Sequence, residues 1–173
     1  MLRRCWVVFG LVFLISISAH AQSDEPKVQF FGGYSYMRLN TTPSLNLNGW
    51  EFSGKYNFKS WLGGTLGGVV DLDGHYGSVS GTHVGANDFL FGPEVSWSRA
   101  RFSPFAHVLI GGAHVGAAGS TSTSFAAAIG FGIDSKIRHG LVWRGIQVDY
   151  IPTHFFSDYQ SNARVSTGIV FHF

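Results

Sequence analysis

Polar and apolar side chains alternate one by one along the final stretch of the chain, residues 162–173. One side of the alternation carries Val165, Thr167, Ile169, Phe171 and Phe173, and the other carries Arg164, Ser166, Gly168 and His172, with Val170 as an apolar exception. Successive side chains of a strand point to opposite faces, whereas a helix would scatter both sets around its surface. The stretch therefore predicts a β-strand.

The same period of two recurs in seven earlier segments, so the sequence predicts eight strands. The predicted strands are 28–38, 49–58, 61–72, 87–98, 104–115, 124–137, 141–151 and 162–173. After residue 21, no run of about 18 consecutive apolar residues indicates a membrane-spanning helix. The predicted fold class is all-β.

The alternation leaves the facing of the third and fifth strands open, and the seventh strand has one exception. In the fifth strand, Ala106, Val108 and Ile110 are placed outward and His107 inward. Glycines obscure the third strand, where Leu62, Leu66, Val70 and Leu72 are expected to share the apolar face. In the seventh strand, Arg144 falls on the apolar face. It either extends its charged end to the edge of the apolar zone or marks a β-bulge that shifts the alternation.

The predicted connections alternate in length. Those at 39–48, 73–86, 116–123 and 152–161 have eight residues or more, and those at 59–60, 99–103 and 138–140 have five or fewer. The strands themselves run about 10 to 12 residues, which is enough for a tilted strand to cross a membrane. Short turns at one end and long loops at the other are typical of transmembrane β-barrels.

The first residues predict export. Arg3 and Arg4 precede an apolar run at 6–17, and Ala19 and Ala21 occupy the small positions of a cleavage site. This order of charged, apolar and small residues predicts a signal peptide at 1–21, with a single domain at 22–173. Cys5 lies inside the predicted signal peptide, so the processed chain would have no disulfide.

Composition supports a membrane barrel. Charged residues make up 13% of the chain, where about 25% is usual, while aromatic residues make up 16% and there are 23 glycines. Without Arg3 and Arg4 the 12 Lys and Arg fall to 10, equal to the 10 Asp and Glu. No basic excess indicates a nucleic-acid partner.

Several stretches resemble the small eight-stranded bacterial outer-membrane β-barrels, the OmpA-type barrel domain in its single-domain form. They are 31–36 (FGGYSY), 104–107 (PFAH), 130–134 (GFGID), 148–150 (VDY) and 166–173 (STGIVFHF). The resemblance implies an eight-stranded antiparallel up-and-down transmembrane β-barrel in the outer membrane, with both termini in the periplasm. It implies a monomer in contact with lipid and lipopolysaccharide, without a cofactor. Ile169, Phe171 and Phe173 resemble the assembly signal that the barrel-assembly machinery recognises.

Charged side chains are predicted inside this barrel. Glu51, Lys55, Glu94, Asp149 and Arg164 fall on the inward face by parity. An eight-stranded interior is only wide enough for side chains to fill it, and buried charges must pair. We expect Asp149 to pair with Arg164 on the adjacent strand, and Lys55 to meet Glu94 across the interior. The pairs would plug the lumen or, alternatively, gate a narrow channel for small solutes.

The sequence also contains candidate residues for other functions. Exposed aromatics in the external loops, Tyr76, Phe155, Phe156 and Tyr159, are candidates for contact with partners. A secreted lipocalin-like barrel remains an alternative, but it would need large apolar side chains inside. His75, Asp73, His154 and Asp158 could mimic an acid–base cluster, although loop side chains of this kind are usually solvated. No metal-ligand spacing is present, and we expect a protein that is not an enzyme.

Overall fold

The computed structural model is a closed barrel in which each strand pairs antiparallel with its sequence neighbours and β1 pairs with β8. It describes residues 26–40, 44–79, 82–117, 120–155 and 158–173, with strand positions alone for 79, 82, 117, 154–155 and 158–160. The strands are β1 (Val28–Leu39), β2 (Leu45–Trp61), β3 (Gly64–Val79), β4 (Thr82–Ser96), β5 (Phe102–Ala117), β6 (Ser120–Arg138), β7 (Leu141–Phe155) and β8 (Asp158–His172). The predicted eight-stranded up-and-down barrel is confirmed. The predicted signal peptide lies outside the described residues.

The prediction of long loops at one end is wrong. The strands have 12 to 19 residues, because the ladders continue through most of the segments expected to be loops. The last pairs are Leu39 with Leu45, Val79 with Thr82, Ala117 with Ser120, and Phe155 with Asp158. Gly, Ser, Thr and Asn are frequent in these segments, so the apolar alternation is weak there, yet their backbones still pair. We call this end the far end, and the end with Pro26 and Phe173 the terminal end.

The turn between β2 and β3 lies later than predicted. β2 continues to Trp61, and the turn consists of Leu62 and Gly63, with φ of 48° and 72°. Positive φ at both central residues is the requirement of a type I′ hairpin turn, which matches the twist of the flanking strands. Leu62 therefore belongs to the turn and not to the apolar face of β3, whereas Val70 and Leu72 point outward as expected.

A bulge on β7 explains Arg144. Ile133 of β6 pairs with Ile146 and Asp134 pairs with Arg144, so Gly145 is an extra residue on β7. One extra residue reverses the facing of everything before it. Arg144 and Val142 are accordingly buried inside the barrel, so the β-bulge is the explanation that holds for Arg144.

The barrel has an apolar outside and a mixed inside. Large apolar side chains cover the outer surface; examples are Phe52, Tyr56, Phe91, Val108, Ile129, Phe131, Ile146 and Phe171. The interior is more apolar than predicted, because Met37, Leu47, Leu90, Leu109 and Ile151 form a buried cluster within it. The described residues include no helix long and apolar enough to cross a membrane.

Candidate functional site

The lumen contains every acidic side chain that the structure describes. All seven Asp and Glu side chains that the structure describes are buried inside the barrel. They are Glu51, Asp71, Asp73, Asp88, Glu94, Asp134 and Asp149. Lys55, Arg144 and Arg164 are the Lys and Arg residues buried with them. The structure thus places all five predicted lumen charges inside, together with others that were not predicted.

Arg164 is the centre of the larger group. Its guanidinium donates from Nε to Asp149 Oδ2 at 2.8 Å and from Nη2 to Asp71 Oδ2 at 2.6 Å, and from Nη1 to Asp73. Glu51 lies 3.6 Å from Nε. Asp149 is the neighbour of Arg164 in the β7–β8 ladder, whereas Asp71 and Asp73 belong to β3 on the opposite wall. The side chain therefore crosses the lumen and ties strands that are not neighbours.

A chain of contacts leads from Asp149 to Lys55. His107 lies 2.8 Å from Asp149 through Nε2, and its Nδ1 lies 3.7 Å from Glu94 Oε2. Glu94 pairs with Lys55 at 2.8 Å, across the intervening strand β3, and Lys55 also donates to Ser96 at 2.8 Å. The two predicted pairs are therefore parts of one connected network.

Arg144 forms a second, different group. It donates to both oxygens of Asp134, at 2.9 and 3.1 Å, and to Gln147 Oε1 at 2.7 Å. Its guanidinium carbon lies 4.5 Å from the ring centre of Phe31 and 4.1 Å from that of Phe105. Two aromatic faces and one bidentate carboxylate thus replace the solvation that burial removes. Gln147 also donates to Glu51 and Asp149, which joins this group to that of Arg164.

His75 belongs to a hydrogen-bonded relay and not to a loop. Its Nδ1 lies 3.1 Å from Asp73 and its Nε2 lies 2.9 Å from Ser35 Oγ, which in turn lies 2.9 Å from Ser166 Oγ. Ser166 contacts Glu51. Three proton arrangements satisfy every bond: a doubly protonated His75 with Glu51 and Asp73 ionised, or a neutral His75 with either Glu51 or Asp73 protonated.

The Ser35, His75 and Asp73 order resembles that of a hydrolytic triad, but the setting does not. Ser35 and His75 are fully buried, and the serine hydroxyl already bonds a second hydroxyl. A nucleophile must be within reach of a substrate. The arrangement can position side chains and share a proton, and it offers no substrate access. The loop placement of the four residues considered as an acid–base cluster is wrong, because Asp73 and His75 lie on β3, position 154 on β7 and position 158 on β8.

Glycine leaves the space that the network fills. A Cβ at Gly130 would overlap both Asp149 Oδ1 and His107 Nε2, and one at Gly168 would lie 2.9 Å from the ring of Phe31. Inward glycines therefore allow large charged and aromatic side chains from neighbouring strands to cross the narrow interior. This is the physical reason for the small, polar face that the sequence shows.

The terminal end of the lumen is open. A cavity of about 350 Å³ lies there, lined among others by Lys55, Asp134, Lys136 and His172. Above it, the gap bordered by Ser53, Leu109 and Gln147 has no room for a water molecule. The network therefore separates this vestibule from the apolar cluster of the far end.

The remaining predicted residues occupy separate places. Tyr76 is exposed on β3, and its hydroxyl lies 3.5 Å from Asn87. Phe155 and Tyr159 belong to β7 and β8, and Phe156 lies outside the described residues. Phe171 and Phe173 are exposed at the terminal end, where Phe173 packs edge-on against Phe30 at 5.9 Å; Ile169 also faces outward.

Asp71, Asp73, His75, Asp134 and Arg144 are site residues that sequence reasoning did not include in the network. The signal for the first three was present, because Val70 and Leu72 point outward and alternation then directs 71, 73 and 75 inward. Arg144 required knowledge of the bulge. In the described part of the chain, no group of three His, Cys, Asp or Glu side chains could hold a metal ion.

Comparison with known proteins supports the fold alone. No family model and no curated protein matches the chain. Among solved structures, Neisserial surface protein A (NspA) matches with a TM-score of 0.64 and 14% identity, over 85% of this chain and 97% of that one. Ail of Yersinia pestis matches with a TM-score of 0.58 and 15% identity, over 85% and 99%. OprG of Pseudomonas aeruginosa matches with a TM-score of 0.55 and 10% identity, over 86% and 96%. The chain has the fold of the small eight-stranded outer-membrane β-barrels.

Proposed function

We propose that this chain is an integral outer-membrane protein with a structural or interaction role, whose lumen is plugged by the Arg164 network. The observation that carries the proposal is the inverted sidedness: charges are paired inside, and apolar side chains face outward along all eight strands. Lipid is the medium in which such a surface is stable. The even strand count puts both termini at the same end, and we propose that this terminal end faces the periplasm.

The packing of the lumen favours a plug over a gated channel. Leu47, Leu90 and Ile151 are buried at 0 or 1% exposure between the network and the far end. A channel would need to move these apolar side chains as well as exchange ion pairs. We therefore expect the refolded protein to give no steady current steps in a planar lipid bilayer, with a wide porin as the positive control. Steady single-channel steps would contradict the plug and favour the channel.

Membrane insertion has its own test. The protein should fractionate with the outer membrane and migrate faster unheated than boiled on a detergent gel, because a closed barrel has no free strand edge and resists unfolding. A variant lacking 158–173 cannot pair β8 with β1 and should lose this mobility difference. Recovery of the full chain in the soluble periplasmic fraction would contradict insertion.

The far end of this barrel has few cations with which to bind a polyanionic ligand. Ail has been solved in complex with the heparin analogue sucrose octasulfate. In the described far end of this chain, Arg38 is the exposed Lys or Arg, so we propose contacts through aromatic and polar groups such as Tyr76, with lipopolysaccharide as the surrounding lipid. Phe155, Phe156 and Tyr159 remain candidates for such contacts.

Biogenesis is part of the proposal. A signal peptide at 1–21 would direct export, and Ile169, Phe171 and Phe173 would be recognised by the barrel-assembly machinery before insertion as a monomer. The outward position of Phe171 and Phe173 leaves both rings accessible to an assembly factor. Phe173→Ser should lower the level of folded barrel in cells, and unchanged levels would contradict the signal.

A further inference from the structure

The exposed basic residues are concentrated at the terminal end. Of the ten Lys and Arg side chains that the structure describes, three lie in the lumen, Arg38 lies at the far end, and six are exposed at the terminal end. The six are Lys27, Lys59, Arg99, Arg101, Lys136 and Arg138. No described Asp or Glu side chain is exposed near them, because all seven are inside the lumen.

These six residues form a ring, which we call the basic ring. Lys27 precedes β1, Lys59 lies near the end of β2, and Arg99 and Arg101 lie between β4 and β5. Lys136 and Arg138 end β6 at the inner rim, where they are exposed and also line the terminal cavity. None of the six forms an ion pair within the described residues; Lys136 donates to Ser98 at 3.2 Å. Asp24 and Glu25 precede Lys27 in the sequence and lie outside the described residues. The other five cations belong to β2, to the β4–β5 turn and to β6.

Apolar side chains are interleaved with the ring. Lys59 lies between the exposed Phe58 and Trp61, and Arg101 directly precedes the exposed Phe102. Ile137, 59% exposed, lies between Lys136 and Arg138. Aromatic rings at a membrane interface and Lys or Arg side chains extending beyond them are the arrangement that places cations at the level of lipid headgroups.

We propose that the basic ring binds the headgroups of anionic phospholipids in the periplasmic leaflet. Arg and Lys form charge-assisted hydrogen bonds with phosphate, and each cation near an anionic lipid surface strengthens association roughly fivefold. The ring has no ion-pair partner within the described residues, and it adjoins the exposed apolar side chains of the barrel. A phospholipid matches both features, because its phosphate can pair with the cations and its acyl chains can contact the apolar side chains. A soluble anion would use only the charges. The inference rests on the proposed membrane insertion.

The test uses two tryptophans as reporters of the two ends. Trp143 of β7 pairs with Ser135, one residue before Lys136, and is exposed; Trp50 of β2 is exposed toward the far end. Two versions of the protein each retain one of them, with the other Trp residues changed to Phe. Each is refolded into phosphatidylcholine vesicles that contain phosphatidylglycerol, with bromine on the acyl chains of one lipid or the other. Fluorescence quenching then reports which lipid lies beside each end.

We expect brominated phosphatidylglycerol to quench Trp143 more than brominated phosphatidylcholine at equal mole fraction, with a relative association constant of about 5 or more. Trp50 should show no preference. The preference at Trp143 should fall in Lys59→Gln/Arg99→Gln/Arg101→Gln/Arg138→Gln, which keeps Lys27 and Lys136, and should weaken in about 1 M salt, where charges are screened within roughly 3 Å. Arg38→Gln is the matched control and should change nothing. Heat-dependent gel mobility shows that each variant is folded.

The outcomes separate the two proposals. Equal quenching of Trp143 by both lipids, or a preference that the four substitutions leave unchanged, overturns the basic ring as a lipid site. If neither brominated lipid quenches Trp50 or Trp143, the protein is not inserted in the membrane, and this result overturns the proposed function.

Discussion

The two buried arginines of the lumen are stabilised in different ways. Arg164 is surrounded by four carboxylates, three of them on strands other than its ladder neighbour β7, and its Nε contacts Asp149 on β7 at 2.8 Å. Arg144 has one carboxylate, Asp134, and lies between the rings of Phe31 and Phe105. One arginine is held by an excess of charge from across the barrel, and the other mainly by neighbours and aromatic faces.

The difference shows what each arginine does for the fold. Four acidic groups close together repel one another, so without Arg164 the centre of the lumen would contain an unbalanced cluster of negative charge. Without Arg144, a single acid would remain, and Asp134 lines the terminal cavity. Arg164 is thus needed to keep its partners buried, whereas Arg144 chiefly fills space and binds rings. Four single substitutions and one double-mutant cycle measure this difference in stability.

Arg164→Met should have the largest effect. Removing one partner of a buried ion pair costs roughly 3 to 5 kcal/mol, because it leaves uncompensated charge, and here several carboxylates lose the same cation. The free energy of unfolding is measured by urea titration of the barrel refolded into phosphatidylcholine vesicles. Arg38→Met, at an exposed cation, is the control and should be nearly neutral.

The same site allows a double-mutant cycle. Because Asp149 and Arg164 are ladder neighbours at 2.8 Å, Arg164→Ala should cost more alone than it does in the presence of Asp149→Ala. A coupling energy near zero would show that the pair contributes no specific interaction.

Arg144→Met should cost less, about 2 kcal/mol, which is the size of a buried cation–π interaction. Methionine can still pack between Phe31 and Phe105, and Asp134 can be solvated from the terminal cavity. The same urea titration compares it with Arg164→Met. If the two substitutions cost equal amounts, the proposed distinction between the arginines is wrong.

Asp134→Asn should come next, at roughly 1 to 2 kcal/mol, because Asp134 is the carboxylate that receives both forks of Arg144. The amide retains one acceptor and loses the charge. The titration should show a lower urea midpoint with an unchanged slope, which indicates a native state of the same compactness. A stabilised barrel would mean that the aromatic rings alone satisfy Arg144.

The sequence predicted the barrel because its pattern is local. Alternation in β8 and β4 depends on residues two apart, and one face of each meets an apolar medium, so the pattern identifies strand and facing together. The far-end extensions of β3 and β4 show much less of this alternation. The Gly- and Ser-rich segment 73–86 is therefore predicted as a loop, although its backbone pairs as far as Val79 and Thr82.

The site was less predictable because its contacts are not local. Parity directed Asp149 and Arg164 inward. Nothing in their own strands indicates that Oδ2 of Asp71, on the opposite wall, lies 2.6 Å from Nη2 of Arg164. A single bulge at Gly145 reversed the facing of Arg144. The partners of a lumen charge depend on strand stagger and barrel width, which the alternation of one strand does not contain.

Asp71→Asn should have the smallest effect and tests the redundancy around Arg164. The amide oxygen can keep the hydrogen bond to Nη2, now 2.6 Å long, and one negative charge leaves a cluster that also contains Asp73 and Glu51. The Oδ1 atom of Asp71 is buried without a hydrogen-bond partner, so an NH₂ group there could donate to a neighbouring acid. The lost charge and the relieved repulsion oppose each other, and we expect a change in the free energy of unfolding within about 1 kcal/mol. A loss above about 2 kcal/mol, larger than that of Asp134→Asn, would show that Arg164 depends on each of its carboxylates and that the abundance of acid around it is not redundant.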